Sequence, residues 1–304
     1  MTDAGEAEAL KRRLGRVGVW NSTLSGQAAS VGREVAAHIE SLGYGALWIG
    51  ETPTGKEVLT HASILLGATH RLTVATGIAN IWARDAVATA NGANTLAEAS
   101  GGRFVLGLGV SHAPTVSARG HDYRRPFAAM NAYLDAMDAA EYGGPLPEPP
   151  PRLLAALRPR MLELAARRAQ GAHPYFVTPD HTARAREVLG AGPVLAPEQT
   201  VVLDTDPERA RGIARRFMAL YLGLPNYANN LRDLGWSEED VSGGGSDALV
   251  DAIVVWGEPD TVIGRVREHL DAGADHVCVQ PLADTPRGLL EHLRVLASAG
   301  LVAA

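Results

Sequence analysis

His112 ends the run FVLGLGVSH (104–112), where β-favouring residues pass through Gly107 and Gly109 and give way to a loop. An imidazole at such a strand end can be a solvated loop residue, a satisfied structural group or a proton-transfer group at the mouth of a pocket. Its ordinary pKa lies near neutrality, which suits the last role. Other chemistry-bearing residues also fall at strand ends. Glu51 closes ALWIGE (46–51), and Thr76, Gly77, Ile78 and Asn80 close RLTVATGIAN (71–80). Gly109, Val110 and Ser111 lead into His112, Arg158, Arg160 and Met161 follow RLLAAL (152–157), and His173, Tyr175 and Phe176 end GAHPYF (171–176).

The elements that position them alternate along the chain. Short apolar runs at 15–20, 46–51, 71–80, 103–110, 152–157, 171–176, 199–205 and 274–280 read as strands, and each is followed by a segment with helical spacing. Thr178–Pro179 and Asp206–Pro207 are cap-then-proline helix starts. Continuous Val/Leu/Ile runs are expected of strands covered on both faces, and βα alternation argues for a parallel sheet. Eight units over 304 residues suit a (β/α)8 TIM barrel. Residues 1–14 read as a flexible polar leader, residues 15–304 as one domain, and 223–247 as an irregular insertion after strand seven. A doubly wound open sheet is the rival. GLGVSH holds only two of the three glycines of a dinucleotide fingerprint, and no helix is read directly behind it.

In a barrel of this kind function lies at the C-terminal ends of the strands. The inventory there excludes several chemistries. The two lysines, Lys11 and Lys56, are not at strand ends, so a Schiff-base mechanism has no nucleophile. No H-x-H or H-E-x-x-H occurs, and no metal site is expected. Exposed backbone at glycines, aromatic rings, two histidines and arginines remain, a set that fits a flat heteroaromatic ligand bearing a phosphate.

Composition narrows the class further. Hydrophobic residues make up 46% and charged residues 20%, enough for a sizeable core. A net charge of −6 argues against nucleic acid as a partner. The single cysteine, Cys278, rules out an intrachain disulfide. There is no secretory h-region and no run long enough to span a membrane, so a soluble, cytoplasmic protein is expected.

The segments VATGIAN (74–80), FVLGLGVSH (104–112), LAALRPRMLELAARRAQGAHPYFVTP (154–179) and WGEPDTVIGRVREHLDAGADHV (256–277) resemble the bacterial luciferase-like monooxygenase superfamily, most closely its branch that uses the deazaflavin coenzyme F420. The resemblance runs from about residue 15 to about residue 283. It implies the (β/α)8 barrel with its insertion and a non-prolyl cis peptide at the end of strand three, matched by Gly77–Ile78, against the central ring of the cofactor. It implies a phosphate tail at the helix opening RPRM, with Arg158 and Arg160 as cations and helix amides as donors. Under it, His112 and Glu51 are the catalytic pair, while His173, Tyr175 and Phe176 line the ring or tail. The activity implied is F420-dependent hydride transfer to or from a small organic substrate. An FMNH2-dependent, oxygen-using monooxygenase and a non-catalytic flavin-binding barrel are the alternatives, and a homodimer is the family-level expectation. The chain departs from many relatives at ALRPRM, which lacks a glycine before the proline. It also lacks a lysine-and-arginine set for a sugar phosphate, so glucose-6-phosphate dehydrogenase activity does not carry over.

Overall fold

The computed structural model describes residues 4–146 and 148–303. Its strands are β1 (Val17–Asn21), β2 (Ala46–Ile49), β3 (Thr73–Thr76), β4 (Ala79–Asn80), β5 (Phe104–Gly109), β6 (Arg152–Leu154), β7 (Gly171–Ala172), β8 (Val194–Leu195), β9 (Glu198–Val202), β10 (Val254–Trp256) and β11 (Val277–Pro281). All pairings are parallel, in the order β10-β9-β11-β1-β2-β3-β5-β6-β7-β8, with β4 alongside β5. β8 runs into β9 across only Ala196 and Pro197, and Cys278 N donates to Pro197 O at 2.9 Å. One stretch of chain thus joins β7 to β11, and the sheet is TIM-barrel-like, with β10 a further neighbour of β9.

The differences from the strands expected from sequence have local causes. Proline removes a ladder donor. Pro174 ends β7 two residues in; the expected strand 199–205 corresponds to β9, and β8, just before Pro197, was not expected. The expected strand 71–80 divides into β3 and β4 around a cis Gly77–Ile78 peptide. The short VVW of β10 carried no period to recognise.

Side chains alternate between the inside of the ring and the helical shell. Trp20, Ala46, Trp48, Ala75, Val105, Leu153, Val194, Ala196 and Cys278 form an inner cluster, whereas Val19, Leu47, Ile49, Val74 and Val279 pack outward under the helices. Leu10 and Leu14 belong to the inner cluster and are buried. They come from helix Ala4–Leu14, which corrects the flexible leader: its i, i+4 leucines close the end of the ring where the strands begin.

Between β9 and β10 the chain is mostly helical, not irregular, with helices Pro207–Leu222, Pro225–Asp233, Glu238–Val241 and Asp247–Ile253. Their start signals are local. Asp206 accepts from Arg209 N, Ser237 and Asp240 form a capping box, and Ser246 accepts from Leu249 N. They share an apolar cluster of Met218, Leu224, Tyr227, Leu231 and Leu249 with Phe176. A short helix, Ala113–Ala118, does open directly behind GLGVSH, with His112 at its N-cap position. The parallel ring, rather than that missing helix, separates this fold from a dinucleotide-binding sheet.

Candidate active site

The floor of the strand-end mouth is built from glycine and tryptophan. The cis Gly77–Ile78 step receives a hydrogen bond from Trp20 Nε1 to Gly77 O at 3.2 Å. A Cβ at position 77 would lie 2.4 Å from Trp20 Nε1 and 3.1 Å from His173 Nε2, so only glycine fits there. A Cβ at position 109 would lie 2.5 Å from Ile78 Cγ1, so Gly109 is what lets the Ile78 side chain lie across β5. Thr76 is wholly occupied with structure: its hydroxyl donates to Gly107 O at 2.7 Å and accepts from Gly107 N at 2.8 Å.

Beneath the floor, His173 stacks on Trp48 at 4.3 Å between ring centroids. Its Nδ1 donates to Ala196 O at 2.7 Å, which fixes the proton there and leaves Nε2 as a buried lone pair without a partner. Burial pushes its pKa down to about 4. His173 is therefore a neutral group under the floor, not a residue lining ring or tail from above.

On one side of the mouth a polar clamp joins three strand ends. Glu51 pairs with Arg84 and accepts from Asn80 N at 2.7 Å. Arg84 also pairs with Glu57 at 2.7 Å. Asn80 Oδ1 accepts from Trp82 N at 3.0 Å, and Trp82 Nε1 donates to Val110 O at 3.1 Å. Glu51 thus uses both carboxylate oxygens on Arg84 and the Asn80 backbone, and Asn80 uses its Oδ1 on the Trp82 backbone.

Val110 and Ser111 follow, Ser111 in the left-handed region at φ 57° with its carbonyl accepting from Tyr123 OH at 3.2 Å. This turn delivers His112, half-buried, with its ring 5.4 Å from that of Tyr227. Burial lowers the His112 pKa, and a hydrogen bond with the Asn226 side chain partly opposes the effect. Nδ1 of His112 has no partner. A neutral imidazole with a free nitrogen at a strand end can accept or return a proton.

The opposite wall is aromatic. Tyr175 donates to Gln280 Oε1 at 2.8 Å, shares a 3.0 Å contact with Tyr221 OH and packs against Trp20 at 4.9 Å between centroids. Phe176 follows at φ 60° and stacks on Tyr221 at 5.1 Å. The helix-opening arginines diverge. Arg158 pairs with Asp233 at 2.8 Å, whereas Arg160 lies over the Phe127 ring at 4.5 Å and Met161 packs against the outer core. Only Arg158 stays beside the helix start, Pro159–Arg168, whose N-cap makes no side-chain bond.

Sequence reasoning missed Trp20 as the donor to Gly77, and Tyr221 and Tyr227 as wall residues. It also missed Glu198, a buried carboxyl on β9. A lone glutamate entering the apolar run EQTVV was the available signal. A cleft of about 840 Å³ lies at the opposite rim, beside Leu10, Arg13, Arg152 and Arg168. Arg152 and Arg168 are paired with Asp138, and none of these four residues is a strand-end candidate.

Ring and mouth together define a TIM-barrel-like α/β protein with an aromatic, glycine-floored site at its strand ends. Residues 14–276 match the luciferase-like monooxygenase family, and the chain belongs to that family of oxidoreductases. It is 26% identical over 280 residues to a 5,10-methylenetetrahydromethanopterin reductase of Methanolobus tindarius, covering 78% of this chain and 86% of that one. Among solved structures it resembles the coenzyme F420-dependent tetrahydromethanopterin reductase of Methanopyrus kandleri, with TM-score 0.76, 17% identity, and coverage of 93% and 97%. It also resembles the oxygenating constituent of 3,6-diketocamphane monooxygenase of Pseudomonas putida in complex with FMN, with TM-score 0.70, 16% identity, and coverage of 93% and 97%. Among the described residues no helix is long and apolar enough to cross a membrane.

Proposed function

We propose that this chain is an F420-dependent oxidoreductase that moves hydride between the deazaflavin and a small organic substrate. The observation that carries the reading is His112: a neutral, half-buried imidazole with an unpartnered Nδ1, held at the end of β5 opposite an aromatic wall. When bound, the deazaflavin supplies a two-electron carrier. The chain's residues fit such a group: Trp20, Ile78 and Tyr175 offer flat apolar surface, and Gly77 and Gly109 keep the floor clear of side chains. Arg158 and the Arg160 amide at the start of helix Pro159–Arg168 suit an anionic tail. His112 exchanges a proton with the substrate oxygen or carbon adjacent to the carbon that gains or loses hydride. Glu51 is reassigned from acid–base partner to positioning residue, because Arg84 and Asn80 occupy both its oxygens.

A second reading, FMN-dependent oxygen chemistry on the same fold, is favoured by the likeness to the FMN-bound diketocamphane enzyme. A barrel that binds flavin without turnover is a third. Single-turnover mixing of the F420H2-loaded protein with aldehydes, ketones and activated alkenes separates them. Hydride transfer predicts anaerobic reoxidation by at least one acceptor, slowed about 100-fold in His112→Ala with cofactor affinity kept. Reoxidation only in the presence of oxygen, or an unchanged rate in the variant, contradicts it.

A further inference from the structure

Glu198 has no part in the mechanism above. Gln199 beside it reaches outward, accepting at Oε1 from His269 Nε2 at 3.0 Å and donating from Nε2 to Ile253 O at 2.9 Å. Its neighbours Glu198 and Thr200 therefore face into the ring. Glu198 is 1% exposed. A carboxyl so placed is ordinarily paired with a cation. The groups that face it are neutral: Tyr175 after β7, Tyr221 of helix Pro207–Leu222, Tyr227 of helix Pro225–Asp233 and Cys278 of β11. Burial holds the Tyr221 hydroxyl up at about 12 and pushes the other three higher than usual, so none of them ionises near neutrality.

Its two direct contacts are both to neutral groups. Oε1 lies 2.6 Å from Thr200 Oγ1, and Oε2 accepts from Phe176 N at 3.3 Å. Phe176 is the left-handed residue that turns the chain after Tyr175, at φ 60°. The carboxyl therefore pins the turn that presents Tyr175 to Trp20 and Gln280, and Phe176 to Tyr221. A neutral carboxyl donates to Thr200 Oγ1 and offers Phe176 N–H only a weak carbonyl acceptor. An ionised one forces the Thr200 hydroxyl to donate, draws the Phe176 amide closer and puts an unpaired negative charge beneath the mouth.

We infer that Glu198 is a positioning residue that holds the Tyr175–Phe176 wall as a neutral carboxylic acid and makes that wall respond to protons. Burial pushes its pKa up to about 7, against the lowering effect of the Thr200 and Phe176 bonds. Proton loss then falls within the neutral range. The consequence for ligand binding rests on the proposed function: a phosphate-bearing cofactor binds less well over a buried anion.

Four phenylalanines make selective ¹⁵N-phenylalanine labelling practical. In the free protein, the Phe176 amide resonance is expected to titrate with a midpoint of about pH 7 in the wild type and to stay fixed in Glu198→Gln. A Phe176 resonance that does not move in the wild type, or that moves equally in Glu198→Gln, overturns the inference. The wild-type titration needs no variant to fold. In parallel, fluorescence titration with F420 and with FMN is expected to show affinity falling up to about tenfold per pH unit above about pH 7, and flat in Glu198→Gln. A titrating Phe176 with pH-independent affinity, or with no binding of either cofactor, upholds the positioning role and contradicts the ring-pocket reading instead.

Discussion

In the oxidative direction of the proposed reaction His112 acts as the base and must be neutral, and its environment favours that form. Burial lowers its pKa below the ordinary 6.5. A base of this kind loses activity as pH falls through its own pKa, so the acid limb of single-turnover reduction of F420 by an alcohol donor is expected below pH 6.5 and absent in His112→Ala. A limb at or above that value contradicts the placement. Tyr175 makes a separate case. Tyr175→Phe removes the donor to Gln280 Oε1 and is expected to cost about 1–2 kcal/mol in denaturant unfolding, leaving the apolar wall in place. These roles were only partly legible in the chain. His112 announced itself by ending a strand. Glu198 did not, because a glutamate at the head of an apolar run looks like the charged edge of a strand until the strand is known to face inward.

Short strands are tied together at their ends by side chains rather than by long ladders. The Glu51–Arg84 pair is the clearest tie, with side chains 4% and 12% exposed. Removing one partner of a buried pair leaves the other uncompensated, so Glu51→Ala is expected to cost about 3–5 kcal/mol by chemical denaturation. If Glu51 were instead the proton donor, Glu51→Gln would abolish turnover while sparing stability; the clamp predicts weakened stability and residual turnover. At β5, Gly109→Ala is expected to cost about 1–3 kcal/mol, because its methyl would occupy the space of Ile78 Cγ1. Element positions were readable because proline and capping residues mark them: helices open at Pro126, Pro159, Pro179, Pro207, Pro259 and Pro286. The same residue hid the break at Pro174, where GAHPYF reads as one strand, and β8 ahead of Pro197 is only two residues long. The helices after 223 were hidden in a glycine- and asparagine-containing stretch whose caps, Ser237 and Ser246, mark segments too short to show a period.

The whole molecule carries several histidines sealed in the neutral form. Burial holds His61, His173 and His276 near pKa 4 and His269 near 3. A folded pKa below the unfolded 6.5 contributes stability that is present above pH 6.5 and lost as pH falls toward 4. With four such groups the slope approaches about 5 kcal/mol per pH unit, and unfolding midpoints are expected to collapse between about pH 6 and pH 4. Glu198 acts in the opposite sense: its raised pKa adds stability below its ordinary value of 4.5, and that part is lost as pH rises toward about 7. A wild-type unfolding midpoint that stays constant from pH 6.5 to pH 4.5 contradicts the sealed histidines. Helix Ala4–Leu14 belongs to this scale as well. Its polar surface disguised two leucines that complete the inner cluster, so removing residues 1–14 is expected to lower the melting temperature by several degrees.

The central claim is that the strand-end mouth holds a deazaflavin in preference to a flavin. Equilibrium fluorescence titration of the purified protein with oxidised F420 and, separately, with FMN tests it most directly. The account predicts saturable F420 binding at one site per chain and FMN binding at least about tenfold weaker, a difference of about 1.4 kcal/mol. Tighter binding of FMN, or binding of neither, contradicts it.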